Sequence, residues 1–206
     1  SSFRATSKYL IITDPTFEAG MQQFVTHKIS KGFEVDVFNT SVTGTTTTSI
    51  KSFIQQRYNE PSTKPEYILL VGDVAQIPAW TGTGEGSPKT DVNYAQLEGG
   101  DYFADAFLGR FSISTAAELQ NAITKSLYME NFIGTLLKKN IFMASEDNYQ
   151  ISEGTHNYVI STYFEPAVYT NLKLYSHTYG ATTQQLINAL NDNQISAIYS
   201  GHGSET

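Results

Sequence analysis

The sequence predicts an α/β fold, a three-layer αβα sandwich with mainly parallel sheets arranged as two adjacent subdomains. Three observations carry this. Lys8-Tyr-Leu-Ile-Ile-Thr13, Tyr67-Ile-Leu-Leu-Val71 and Asn140-Ile-Phe-Met-Ala144 are almost unbroken apolar runs, as strands covered on both faces require. Segments with helical spacing of apolar residues separate them, and alternating strands and helices imply crossovers within a parallel sheet. At 206 residues, with 40% of them apolar, the chain is long enough to bury a substantial core.

The elements follow in order. After the first strand, Asp14-Pro15 reads as an N-cap followed by proline at the first helical position. Phe17, Met21, Phe24 and Lys28 share one helical face, and Gly32 suits the position just past the helix end. Phe33 to Phe38 alternates as a second strand, and residues 43–48 read as a polar loop. Ile50, Phe53, Ile54 and Tyr58 mark a second helix before the strand at 67–71. Residues 72–110 then read as loop, rich in glycine and carrying Asp73, Asp91, Glu98, Asp101 and Asp105. Thr115-Ala-Ala-Glu118 is a capping box that opens a helix with Leu119, Ile123 and Leu127. Gly134–Lys139 reads as a connection, giving subdomains 1–134 and 135–206. Beyond the strand at 140–144, a helix is expected from about Thr155 to Phe164, with His156, Val159, Ile160 and Tyr163 on one face. Thr182-Thr-Gln-Gln185 is another capping box, before Leu186, Ile187 and Leu190. Ile195, Ala197, Ile198 and Tyr199 then read as a buried strand.

Composition narrows the function. Net charge is −7 with the basic residues scattered, which argues against a nucleic-acid surface. No apolar run approaches membrane-spanning length. With no cysteine there is no disulfide. Abundant Tyr, Thr, Asn and Ser with few charges has the look of a secreted protein.

Chemistry concentrates at the last strand, which delivers Gly201-His202-Gly203. In open α/β sheets, chemistry sits beyond the carboxyl ends of the strands. Gly201 lets the chain turn there, and Gly203 keeps bulk from a backbone N–H that could face a substrate carbonyl oxygen. His202 is placed to act as a general base; the competing reading is an exposed histidine in a glycine-rich turn. Glu146-Asp147 follows the strand at 140–144 and could orient the imidazole; an ordinary acidic loop is the alternative. Glu98 to Asp105 spaces carboxylates on a short loop, as chains that wrap hard cations do, although the spacing is not that of an EF-hand. A solvated acidic turn is the competing reading there. His27, His156 and His177 read as structural, and no pair has zinc-ligand spacing.

Gly201-His-Gly-Ser-Glu-Thr206 after a strand resembles the catalytic-histidine segment of the gingipains, the C25 cysteine peptidases with a caspase-like fold. Lys31-Gly-Phe-Glu-Val-Asp-Val37, Ser49-Ile-Lys-Ser-Phe-Ile54 with Arg57-Tyr-Asn59, Leu70-Val-Gly-Asp73 and Gly100-Asp-Tyr-Phe103 are similar to family segments in the same order. The resemblance implies a cysteine endopeptidase in which His202 takes the thiol proton and Gly203 N–H is an oxyanion donor. It places Asp147 at the third catalytic position, with Glu146 one residue away. It implies structural calcium held by the side chains of Glu98, Asp101 and Asp105 and the Phe103 carbonyl. Glu98 stands where the family has aspartate, and the loop has an extra glycine. Asp73 matches a ligand of another calcium site, completed elsewhere. Glu153 is the candidate for the pocket acid that sets a preference for Arg or Lys. The family's nucleophile follows the histidine, so these residues are expected to form an incomplete second subdomain, inactive alone. The expected partners are peptide or protein substrates and the rest of the catalytic domain. The expected location is secreted or on a bacterial cell surface. A calcium-stabilised, non-catalytic flavodoxin-like binding domain, or a pseudopeptidase, is the alternative.

Overall fold

A computed structural model of the protein describes residues 6–83, 86–132 and 138–202. The chain divides into two compact units, Ser1–Phe132 and Ile133–Thr206.

The first unit holds a four-stranded sheet in the order β2-β1-β3-β6, with every pairing parallel. Its strands are β1 (Lys8–Thr13), β2 (Glu34–Asn39), β3 (Tyr67–Val71) and β6 (Phe107–Phe111). Asp14 caps α1 (Pro15–Glu18) by accepting from Thr16 N, and a 3₁₀ turn leads on into α2 (Gln22–Ser30). Phe17, Met21, Phe24 and Lys28 all face inward, as their spacing predicts. With Ile11, Leu69, Val71 and, from α5 (Ala116–Glu130), Leu119 and Ile123, the three apolar residues of that set form the core on one sheet face. On the other face, Ile50, Ile54 and Tyr58 of α4 (Thr47–Asn59) pack on Leu10, Ile12, Ile68 and Leu70. Helices thus cover both faces, the αβα layering expected.

The polar loop expected at 43–48 is shorter than that. α3 (Thr40–Thr43) occupies its start, and Thr46 with Ser49 forms a capping box that begins α4. Serine substitutes for the usual Glu or Gln as the reciprocal partner, so the box was not evident from sequence.

The long segment between β3 and β6 carries a small antiparallel hairpin, β4 (Trp80–Thr81) with β5 (Lys89–Thr90). Arg110 of β6 fastens it. Its guanidinium donates twice to Asp91, at 2.7 Å each, and to the carbonyls of Gly72 (2.6 Å) and Ile77 (2.9 Å). A planar donor fork serves this task where an ammonium would not.

Two further residues brace α2. Lys28, 9% exposed, pairs with Glu130 of α5 at 2.6 Å, and its ammonium lies 5.1–5.6 Å from the ring centres of Tyr9, Phe24 and Phe33. His27 Nε2 lies 3.0 Å from the other Glu130 oxygen.

The second unit has a three-stranded parallel sheet in the order β8-β7-β9. These are β7 (Lys139–Ala144), β8 (Thr170–Tyr175) and β9 (Ser196–Ser200). Connecting β7 to β8, α6 (Tyr149–Val159) runs into a π-helical turn, Ile160–Phe164. Ile160 packs there on Phe142, Ala144 and Tyr175. After β8 come α7 (Ser176–Tyr179) and α8 (Thr183–Leu190), and α8 packs through Leu186 and Ala189 on the opposite face, against Ile141 and Leu174.

Several expectations need correction. The helix expected from Thr155 starts at Tyr149, because Ser152 and Glu153 occupy inward positions that a hydrophobic pattern does not reveal. Tyr163 is exposed and not on the buried face, as are Ile187 and Leu190 of α8. Among the described residues β9 lies at the edge of its sheet, and Tyr199, with Ile195 just before the strand, is about half exposed.

Candidate active site

The site is built at the carboxyl end of the second sheet. β7 is central, and the two crossovers of this sheet lie on opposite faces: β7 to β8 through α6, β8 to β9 through α8. The crevice between the ends of β7 and β9 is therefore a topological switch point, where open α/β sheets bind ligands. Ala144 pairs with Ser200, and Ser145 N donates to Ser200 O at 3.1 Å, so the pairing continues past the regular strand. Ser145 lies beside Gly201, and Glu146 and Asp147 follow it in the turn before α6, at the same end of the sheet as His202.

His202 is solvent-exposed, as are Glu146 and Asp147. Gly203 lies outside the described residues. Gly201 does not have the left-handed backbone that would demand glycine. Space demands it instead. A Cβ there would sit 2.4 Å from Tyr199 Oη, 2.5 Å from Ser145 Oγ and 2.7 Å from Ser145 Cβ, all far inside contact distance.

The same end of the sheet gathers other groups. Glu153, 6% exposed, accepts from Thr178 N at 3.2 Å and from the Thr178 hydroxyl. Tyr149 stacks on His177, with ring centres 3.5 Å apart and planes 18° from parallel. Sequence reasoning assigned no role to Tyr149 or Thr178; their only signal was position a few residues past a strand end. His156 is buried edge-on against Phe142 at 5.3 Å, and burial pushes its pKa down, which favours a neutral core side chain.

The acidic loop belongs to the first unit. Asp105 Oδ2 closes its neck by accepting from Leu97 N (2.6 Å) and Glu98 N (2.8 Å). Those bonds, Glu98 N foremost, hold its carboxyl below the usual range. Asp101 Oδ1 accepts from Phe103 N at 2.9 Å. Glu98 Oε2 accepts from Tyr58 Oη at 3.0 Å and lies 3.7 Å from Lys64 Nζ. Among the described residues, no three His, Cys, Asp or Glu side chains converge on one point that could hold a metal ion. The donors are all oxygens, the chemistry a hard cation selects, and each of the three carboxylates has a second oxygen outside these bonds. Asp73 is far from this loop. It follows the carboxyl end of β3, while Asp105 precedes the amino end of β6, at the opposite end of the same parallel sheet. Asp73 accepts from Ser112 Oγ at 2.8 Å, which is the chief cause of its lowered pKa.

Comparison with known proteins agrees with this architecture. The model of peptidase family C25 matches residues 4–206. Gingipain R2 of Porphyromonas gingivalis is 30% identical over 215 aligned residues, covering 98% of this chain and 28% of that protein. Lys-gingipain of the same organism is 32% identical, covering 97% and 12%. The crystal structure of the Arg specific cysteine proteinase gingipain R superposes with a TM-score of 0.85 at 29% identity, over 99% of this chain and 49% of that one. A complex of gingipain pro- and mature domains from P. gingivalis gives a TM-score of 0.84 at 30% identity, over 97% and 49%. The chain thus spans about half of the solved structures it matches, and 28% or less of these curated relatives.

Proposed function

The chain belongs to peptidase family C25, and from that we propose that it carries the catalytic histidine of a gingipain-like, caspase-like cysteine endopeptidase. One observation supports this most: the β7–β9 pairing, which puts His202, exposed, at the switch point, at the same sheet end as the turn that carries Glu146 and Asp147. His202 acts as general base, taking the proton from a cysteine thiol so that the thiolate attacks the scissile carbonyl carbon. The imidazolium then returns the proton to the leaving amine, and water releases the acyl group by the same route. A carboxylate beside the ring stabilises the imidazolium. Asp147, at the family's third catalytic position, is proposed for that role, with Glu146 one residue away as the alternative. The amide N–H of Gly203 serves as an oxyanion donor.

These 206 residues contain no cysteine, so the nucleophile comes from polypeptide outside them. The partner proposed is that remainder of the catalytic domain, and the substrate is a peptide or protein. Glu153 is proposed as the acid that reads a basic substrate side chain, held in place by Thr178. Structural calcium is proposed at the 98–105 loop, held by Asp101, Asp105, Glu98 and the Phe103 carbonyl, with Asp73 serving a separate site. Bound there, the ion cross-links the loop and stabilises the first unit. A secreted or cell-surface location in a bacterium follows from the gingipain likeness.

The test is hydrolysis of Arg-, Lys- and neutral-residue peptides by the full-length protein and by residues 1–206 alone. Turnover by the former, lost in His202→Ala and absent from the latter, is the expected result. Turnover by verified residues 1–206, abolished by His202→Ala, overturns the cysteine assignment.

A further inference from the structure

We propose that Glu153 selects lysine over arginine in the substrate, because Thr178 already holds the edge of its carboxylate on which a guanidinium would dock. This rests on the peptidase reading above and on Glu153 as the acid that meets the substrate side chain. Thr178 N donates to Glu153 Oε1 at 3.2 Å, and the Thr178 hydroxyl donates to Oε2. The two donors belong to one residue and are separated only by its Cα and Cβ. Donors that close together reach both oxygens from the edge between them, since the outer lone pairs point away from each other. An arginine fork binds a carboxylate through that same edge, with two parallel N–H···O bonds. A lysine ammonium is a point donor and needs only an outer lone pair of one oxygen. The carboxylate as it stands suits an ammonium and refuses the fork.

Thr178 is not free to yield that edge. The segment from Tyr175 to Thr178 is fastened to three successive turns of α6. Tyr149 stacks on His177, Glu153 takes both donors of Thr178, and Asn157 Oδ1 accepts from Tyr175 Oη at 3.2 Å. Residues 149, 153 and 157 follow one another at a spacing of four, so they share one face of the helix. Swinging Thr178 aside would break a contact on either side of it. Glu153 is buried, so its carboxylate stays where this frame puts it. Thr178 is therefore a positioning residue: it acts on the substrate through Glu153, by deciding which lone pairs the acid has left to offer.

The test compares kcat/KM for Lys, Arg and neutral peptides of otherwise identical sequence, on the full-length protein and its Thr178 and Glu153 variants. The wild type is expected to favour Lys over Arg at least about tenfold, the worth of one charge-assisted hydrogen bond. Thr178→Val keeps the side-chain shape, loses the hydroxyl and frees Oε2 on the inner edge, so the Lys/Arg ratio should fall about tenfold. Thr178→Ala, which also lacks the hydroxyl, should match it if valine is poorly tolerated. Thr178→Ser keeps the donor and should keep the ratio. Both peptides meet the same sample, so any misfolded fraction cancels from the ratio. A wild type that does not favour Lys, or a ratio unmoved by loss of the hydroxyl, overturns the proposal alone. A Glu153→Gln protein that still prefers basic to neutral peptides removes Glu153 from the pocket, and the proposal with it. A wild-type full-length protein that cleaves none of the three overturns the peptidase reading itself.

Discussion

Replacing Glu130 by glutamine tests the most connected charged cluster in the first unit. Glu130 neutralises Lys28, which is buried among Tyr9, Phe24 and Phe33, and also contacts His27. Removing one partner of a fully buried pair costs about 3–5 kcal/mol. The Glu130 side chain is 33% exposed, so water screens part of that, and the expected loss at pH 7 is about 1–2 kcal/mol. Trp80 is the only tryptophan and lies in this unit, edge-on to Tyr94 at 4.6 Å. Urea unfolding followed by its fluorescence therefore reports on this unit. Burial opposes ionisation of Glu130, but Lys28 and then His27 outweigh it and hold its pKa below the ordinary 4.5. A depressed carboxyl contributes stability above its unfolded pKa and loses it as pH falls through the folded value. The gap between wild type and Glu130→Gln should thus be full at pH 7 and narrow as pH falls through the lowered Glu130 pKa, where both side chains become neutral. A gap under about 0.3 kcal/mol at pH 7, or one that does not narrow on acidification, refutes the reasoning.

Other outcomes are expected. Asp147→Asn should reduce kcat/KM of the full-length peptidase by at least about tenfold, and Glu146→Gln by much less; the reverse order would assign the third position to Glu146. Calcium should raise the melting temperature of residues 1–206, EDTA should reverse this, and Asp101→Asn should abolish it; a midpoint indifferent to both ion and chelator removes the metal proposal. Asp105→Asn should loosen the loop neck even without calcium, seen as faster amide exchange at Leu97 and Glu98, because a neutral acceptor replaces a charged one. Val168, a β-branched residue held at φ +62° and exposed, should be improved by asparagine, raising stability by about 1 kcal/mol in chemical denaturation.

How much of this was legible depended on where each residue's energy is spent. β1, β3 and β7 bury both faces, so hydrophobicity alone marks them. The starts of α1, α5 and α8 were readable because their caps are side chains of recognised type. β6 was hidden. Phe107-Leu-Gly-Arg-Phe111 is an edge strand whose glycine and arginine break the pattern, and the arginine serves the neighbouring loop instead of the core. β8 was hidden by its exposed residues, among them Leu172. At the site, Gly-His-Gly after a strand was visible as a pattern, and pairing between β7 and β9 explains why that strand end matters. Tyr199 was read as core because its partner is a backbone carbonyl three residues on, and carbonyls carry no sequence signal.

The Arg110 fork has a consequence for synthesis. The ribosome releases the segment from Gly72 to Ala106 before the side chain that secures it exists. Until β6 emerges and docks beside β3, the carbonyls of Gly72 and Ile77 and the Asp91 carboxylate have no guanidinium to meet. The nascent chain therefore has a window in which β1, β2 and β3 can pair while the hairpin hangs loose. Cellular proteases should cut translation products stalled before residue 110 within this segment, and should spare it once Phe111 has cleared the exit tunnel.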